Sequence, residues 1–114
     1  MPYIELKTNK QLSKDKKLDI LKDLTALISK DLGKPDQYIM ATCRDDLDMM
    51  FGGSTDPLVF FDLSSIRLPV SQTADLSQSL AAFVKENLGI SSDRVFINFR
   101  DVEPHMWGFK SGTF

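Results

Sequence analysis

The chain has 114 residues, 42% of them hydrophobic, which is enough for one domain spanning residues 1–114 with a core of its own. Its net charge of -2 argues against nucleic acid as a main partner, because phosphate binding needs a basic surplus. No apolar run reaches membrane-spanning length and no cleavable signal is recognisable, so the expectation is a cytoplasmic protein with no membrane partner, non-classical export being left open.

Pro2-Tyr3-Ile4-Glu5-Leu6-Lys7-Thr8 alternates apolar and polar residues, the signature of a strand. A strand starting at Pro2 carries the chain terminus into the folded body, whereas most termini fray. If Met1 is removed, that terminus is the secondary amine of Pro2. Desolvation disfavours its ammonium form and lowers its pKa, which makes a general base. Taken alone, the segment favours an ordinary Met-Pro start, and the rest of the chain reverses that.

A helix is expected over residues 15–32, with Leu18, Leu21, Leu24, Ile28 and Leu32 inward, Ser13 as N-cap, and Gly33 with Pro35 as the stop. A strand follows from Tyr38 to Cys43. Cys43 is the only cysteine, so no intrachain disulfide or cysteine cluster for a metal can form, and it reads as a small buried hydrophobe. Asp45, Asp46 and Asp48 lack the glycine and distal glutamate of a calcium loop and read as a solvated acidic turn.

Leu58-Val59-Phe60-Phe61 is apolar at four successive positions, so both faces of that strand call for burial. A second helix covers residues 74–88, capped by Thr73 and ended by Gly89, with Leu76, Leu80, Phe83, Val84 and Leu88 inward. The last strand runs from Arg94 to Phe99, and its central Asn98 needs a polar partner. His105, the only histidine, falls in a solvated loop.

The two halves repeat. Leu32-Gly33 and Arg44-Asp45 recur 56 residues later as Leu88-Gly89 and Arg100-Asp101, and Leu24, Leu27 and Ile28 match Leu80, Phe83 and Val84. Pro2 and Ile4 fall on Leu58 and Phe60 at the same offset. The expected fold is α/β (α+β): two right-handed β-α-β units forming one four-stranded mixed sheet with both helices on one face. A Phe- and Leu-rich second face would be left open, which predicts a closed homo-oligomer with its sheets turned inward.

The residues resemble a known family. Pro2, Gly33-Lys34-Pro35 with Gln37-Tyr38-Ile39, Phe51-Gly52-Gly53-Ser54, Ser65-Ile66, Asp93 to Asn98 and the terminal Thr113-Phe114 resemble macrophage migration inhibitory factor and D-dopachrome tautomerase, of the tautomerase superfamily. The likeness runs the whole length. It implies a barrel-like homotrimer with active sites at subunit interfaces and keto–enol tautomerisation of phenylpyruvate-like aromatic α-keto acids. It implies no cofactor and no metal.

The resemblance also implies residue roles. Pro2 is the catalytic base. Lys34 pairs with the substrate carboxylate and helps depress the Pro2 pKa, although a lysine there also suits a helix C-terminus. The Ile66 backbone, beside Ser65, holds the substrate. Asn98 enters the pocket of the adjacent subunit or bonds across the interface. Tyr3, Tyr38, Phe96, Trp107, Phe109 and Phe114 wall the pocket or are plain core. In departure from the mammalian cytokines, Phe96 replaces a tyrosine and Leu58-Val59-Phe60-Phe61 replaces a Cys-x-x-Cys. The receptor-binding residues are not recognisable. The rival reading is a cytokine-like signalling protein with incidental tautomerase activity. A decarboxylase or dehalogenase using the same proline would need extra basic groups, which the sequence does not identify.

Overall fold

In a computed structural model that describes residues 1–114, the chain opens on strand β1 (Tyr3–Thr8) and helix α1 (Lys14–Leu32). Strands β2 (Met40–Arg44) and β3 (Val59–Ile66), helix α2 (Thr73–Leu88) and strand β4 (Val95–Val102) follow. A short hairpin of β5 (Gly108–Phe109) and β6 (Gly112–Thr113) ends the chain. The sheet order is β2-β1-β3-β4, with β1 antiparallel to β3 and both outer pairs parallel. This is the mixed sheet of two β-α-β units that the repeat predicts. No helix is long and apolar enough to cross a membrane.

Local chemistry sets the helix ends. Ser13 is extended, and its hydroxyl accepts the Lys16 N–H at 3.1 Å, as an N-cap should. Gly33 and Gly89 close α1 and α2 at φ 64° and 67°, where a side chain would be strained. Thr73 does not cap α2. A 3₁₀ turn, Val70–Gln72, runs straight into that helix, so Thr73 is already helical and its hydroxyl donates to the Val70 carbonyl at 2.9 Å. The strand expected from Tyr38 starts at Met40, because Asp36–Tyr38 forms a 3₁₀ turn after Pro35. Ser92–Arg94 forms the matching turn before β4, so the repeat extends to its turns.

One core of 15 buried residues lies between the helices and one sheet face. It holds Ile4 and Leu6 of β1, Val59, Phe61 and Leu63 of β3, and all five expected residues of α2. In α1 the inward stripe is Ile20, Leu24 and Ile28, whereas Leu18 is half exposed. The stripe is a set of i, i+4 positions, and Leu18 lies off it.

The other sheet face is not the Phe- and Leu-rich surface that was expected. Strand parity sends Phe61 and Leu63 inward and leaves Phe60 and Asp62 outward. Cross-strand pairing then places Glu5 opposite Thr42 and Asp62, Lys7 opposite Arg44 and Phe60, and Asp62 opposite Asn98. The middle of the open face is therefore polar, and apolar side chains gather at its two ends. The proposed match of Ile4 with Phe60 is also off by one. Ile4 pairs with Ala41 and Phe61 with Ile97, so Ile4 corresponds to Phe61 and both are buried.

Candidate active site

The chain start is built into the sheet. Pro2 is buried, and its carbonyl accepts the Met40 N–H at 3.1 Å, extending the β1–β2 ladder to the second residue. Around it lies a cavity of about 350 Å³ lined by Met1, Pro2, Tyr3, Tyr38, Met40, Ser64, Arg100, Val102, Met106 and Trp107. With Met1 attached, the free amine is that of Met1 and the Pro2 nitrogen is an amide. That amine has its pKa lowered, first by burial and then by the charge of Lys34. An amine at this end of the sheet is thus biased toward its neutral form.

Lys34 leaves the end of α1 with its backbone fixed by Ser29. The Lys34 N–H donates to the Ser29 carbonyl at 3.2 Å, and the Ser29 hydroxyl donates to the Lys34 carbonyl at 2.6 Å. The Lys34 ammonium donates to the Ile66 carbonyl at 3.1 Å, and the buried Ser65 hydroxyl donates to the same oxygen at 3.2 Å. Lys34 and Ser65, each expected to bind substrate, thus meet at the Ile66 carbonyl. Ser29 carries no signal in the sequence, because a helical serine is ordinary.

The expected aromatics divide into three groups. Tyr3, Tyr38 and Trp107 line the Pro2 cavity. Phe109 stands edge-on to Tyr38 with centroids 6.4 Å apart and stacks on Phe114 at 5.4 Å, so the terminal hairpin buttresses the cavity rather than lining it. The Phe114 N–H closes the hairpin on the Trp107 carbonyl at 3.2 Å. Phe96 lies elsewhere. It packs edge-on against Phe51, with centroids 4.5 Å apart, in a second cavity of about 450 Å³ lined also by Lys7, Met49, Met50, Leu58 and Phe60. Asn98, on the same strand, donates to the Asp62 carboxylate at 3.4 Å. Within one chain, Phe96 and Asn98 do not meet Pro2.

Met40, Ser64, Arg100, Val102 and Met106 line the Pro2 cavity but are not among the expected site residues. Apart from Met106, they lie on the open face of the sheet with Tyr3, through the pairs Tyr3–Met40, Tyr3–Ser64, Ser64–Arg100 and Ile66–Val102. Counting alternate residues from Tyr3 along the correct register finds them. Asp45, expected as part of a solvated turn, instead accepts the Leu12 N–H at 2.8 Å and pairs with Lys17 at 3.1 Å.

The sequence model of the macrophage migration inhibitory factor (MIF) family matches residues 1–114. The chain belongs to this family. It is 38% identical over 96 residues to macrophage migration inhibitory factor of Xenopus tropicalis, covering 83% of this chain and 84% of the relative. It is 33% identical over 115 residues to D-dopachrome decarboxylase-B of Xenopus laevis, covering 99% and 96%. Among solved structures, the MIF homologue of Prochlorococcus marinus superimposes with a TM-score of 0.92 at 31% identity, over 98% of both chains. The four-stranded sheet with two helices is thus the MIF fold.

Proposed function

We propose that the protein is a keto–enol tautomerase acting on phenylpyruvate-like α-keto acids, with Pro2 as the base once Met1 is removed. The observation that carries this reading is the chain start. Pro2 is buried at the edge of a partly aromatic cavity, and the terminal amine there has a pKa lowered by burial and by Lys34. The neutral Pro2 amine takes a proton from the carbon next to the ketone, and a proton returns to the ketone oxygen. The product is the enol, with no net change in composition. Lys34 pairs with the substrate carboxylate, giving up its bond to the Ile66 carbonyl. Membership of the MIF family agrees with this chemistry.

The active form is a homotrimer with its sites at subunit boundaries. The two apolar ends of the open sheet face support this arrangement. One is the Pro2 cavity, and the other holds Phe51, Phe60 and Phe96. In a head-to-tail ring, the second end of one chain meets the first end of the next, bringing Phe96 and Asn98 to a neighbour's Pro2. Working in the cytoplasm, such an enzyme needs neither metal nor cofactor.

The test is the ultraviolet absorbance of the enol on adding phenylpyruvate to protein lacking Met1. Pro2→Gly leaves a primary amine on a looser chain and lowers the rate at least tenfold. Equal rates in the variant and the wild type would remove Pro2 from the chemistry.

A further inference from the structure

We infer that Arg100 is a specificity-determining residue of the Pro2 cavity, and that it selects aromatic keto acids carrying a second anionic group on the ring. This deepens the tautomerase reading and rests on it for the keto acid, but not for the anion. Arg100 lines the same cavity as Pro2, Tyr3, Ser64 and Trp107. Its register position on β4 is opposite Ser64 of β3, which is itself opposite Tyr3 of β1. A side chain on this face at this position is held by the sheet rather than by a loop.

The charges of the open face leave Arg100 without a partner. Glu5 is taken by Lys7 at 3.5 Å and Arg44 at 3.9 Å. Asp62 is taken by Lys7 at 3.2 Å and receives the Asn98 amide at 3.4 Å. Two carboxylates thus face three cations, and Arg100 joins none of these pairs. Its neighbour Asp101 points to the opposite face of the sheet, where its carboxylate accepts the Leu68 N–H at 3.1 Å.

A guanidinium to which its own chain supplies no anion, at the rim of a binding cavity, suits a carboxylate on the ligand, which it can hold with two parallel hydrogen bonds. Lys34 is already assigned to the α-carboxylate by way of Ile66. A ligand with one carboxylate satisfies Lys34 alone. One with a second carboxylate beyond the ring satisfies both cations. An aromatic ring suits the cavity that Arg100 lines, because Tyr3, Tyr38 and Trp107 form its walls.

The experiment has two arms. In the first, binding of hydrocinnamate and of its para-carboxy analogue to the Met1-free protein is followed by the fluorescence of Trp107, the only tryptophan. Neither compound can tautomerise, so this arm does not depend on catalysis. The wild type is expected to bind the dicarboxylate about three- to tenfold more tightly, with a preference that weakens as salt is raised. Arg100→Gln loses the preference and Arg100→Lys keeps part of it. In the second arm, the ratio of kcat/KM for para-carboxyphenylpyruvate over phenylpyruvate falls by a similar factor in Arg100→Gln. No preference in the wild type, or an undiminished one in Arg100→Gln, overturns the inference. If neither keto acid is turned over while the binding preference is present and depends on Arg100, the tautomerase reading fails and the anion site stands.

Discussion

The Lys34 ammonium donates to the carbonyl oxygen of Ile66 across 3.1 Å, joining the end of α1 to the end of β3. The contact holds a flexible cation within electrostatic reach of the terminal amine, whose pKa it helps to lower. Lys34→Met removes both effects. A charge-assisted hydrogen bond contributes about 1.5–3 kcal/mol, so kcat/KM for phenylpyruvate should fall roughly ten- to a hundredfold. Restoration of most of the activity by Lys34→Arg would support a charge role, and wild-type kcat/KM in Lys34→Met would rule it out.

The same pair sets the pH dependence. The base works in its neutral form, so kcat/KM should rise as pH rises through the amine pKa. Burial and Lys34 both lower the pKa of an amine at this site, so the rise belongs below the pH at which an ordinary terminal amine titrates. Removing the Lys34 charge should move the limb to higher pH. A limb in Lys34→Met that stays in place or moves to lower pH would show that the titrating group is not near Lys34.

Asp45 and Asp101 do one job twice. Asp45 accepts the Leu12 N–H at 2.8 Å and Asp101 the Leu68 N–H at 3.1 Å, so each repeat uses its aspartate to hold the segment entering its helix. The Asp45 carboxyl is held below its usual pKa, chiefly by the Leu12 N–H and then by Lys17. A carboxyl with a depressed folded-state pKa stabilises the fold above its unfolded pKa, and the effect fades as pH falls through the folded value. Asp45→Asn should therefore lower the thermal midpoint at neutral pH, with the gap to wild type closing in acid. A gap independent of pH would assign the loss to packing instead.

Much of this was legible in the sequence. Ser13, Gly33 and Gly89 mark helix ends because capping is local chemistry. The losses came from strand parity. Aligning Ile4 with Phe60 rather than Phe61 is an error of one residue, which turns a strand over. Separately, the apolar run Leu58–Phe61 made the open face look apolar, although only Phe60 of β3 in that run points to it. Arg100 was missed because its position beside Ser64 depends on register between strands distant in sequence. The inward place of Ile20 over Leu18 and the helical start at Thr73 were set by packing and by a preceding 3₁₀ turn. Neither leaves a local mark.

The terminal hairpin turns on Lys110 and Ser111 at φ 50° and 65°, a left-handed pair without glycine. Each such residue costs about 1 kcal/mol or more relative to one suited to the region. Replacing the pair by Asn-Gly should stabilise the protein by about 0.5–1 kcal/mol after the extra flexibility of the unfolded glycine is counted. The thermal midpoint checks this, and an unchanged or lower value would mean the turn is not strained.

Phe96 carries the shared-site part of the account. Placed against a neighbour's Pro2, it lacks a hydroxyl that could meet a para-hydroxyl on the substrate ring. Phe96→Tyr should raise kcat/KM for para-hydroxyphenylpyruvate relative to phenylpyruvate by up to roughly tenfold. Sedimentation of the wild type should give a mass near three times 12.9 kDa. An active monomer, or a ratio unmoved by Phe96→Tyr, would separate Phe96 from the substrate.

The most direct test of the account is the turnover of phenylpyruvate by two preparations of the same chain whose N-termini have been read by mass spectrometry. One begins at Pro2, and the other keeps Met1 behind a block to its removal. The first preparation should form the enol. The second, whose Pro2 nitrogen is an amide with no basic lone pair, should be slower by at least about a hundredfold. Equal rates in the two preparations would contradict the account.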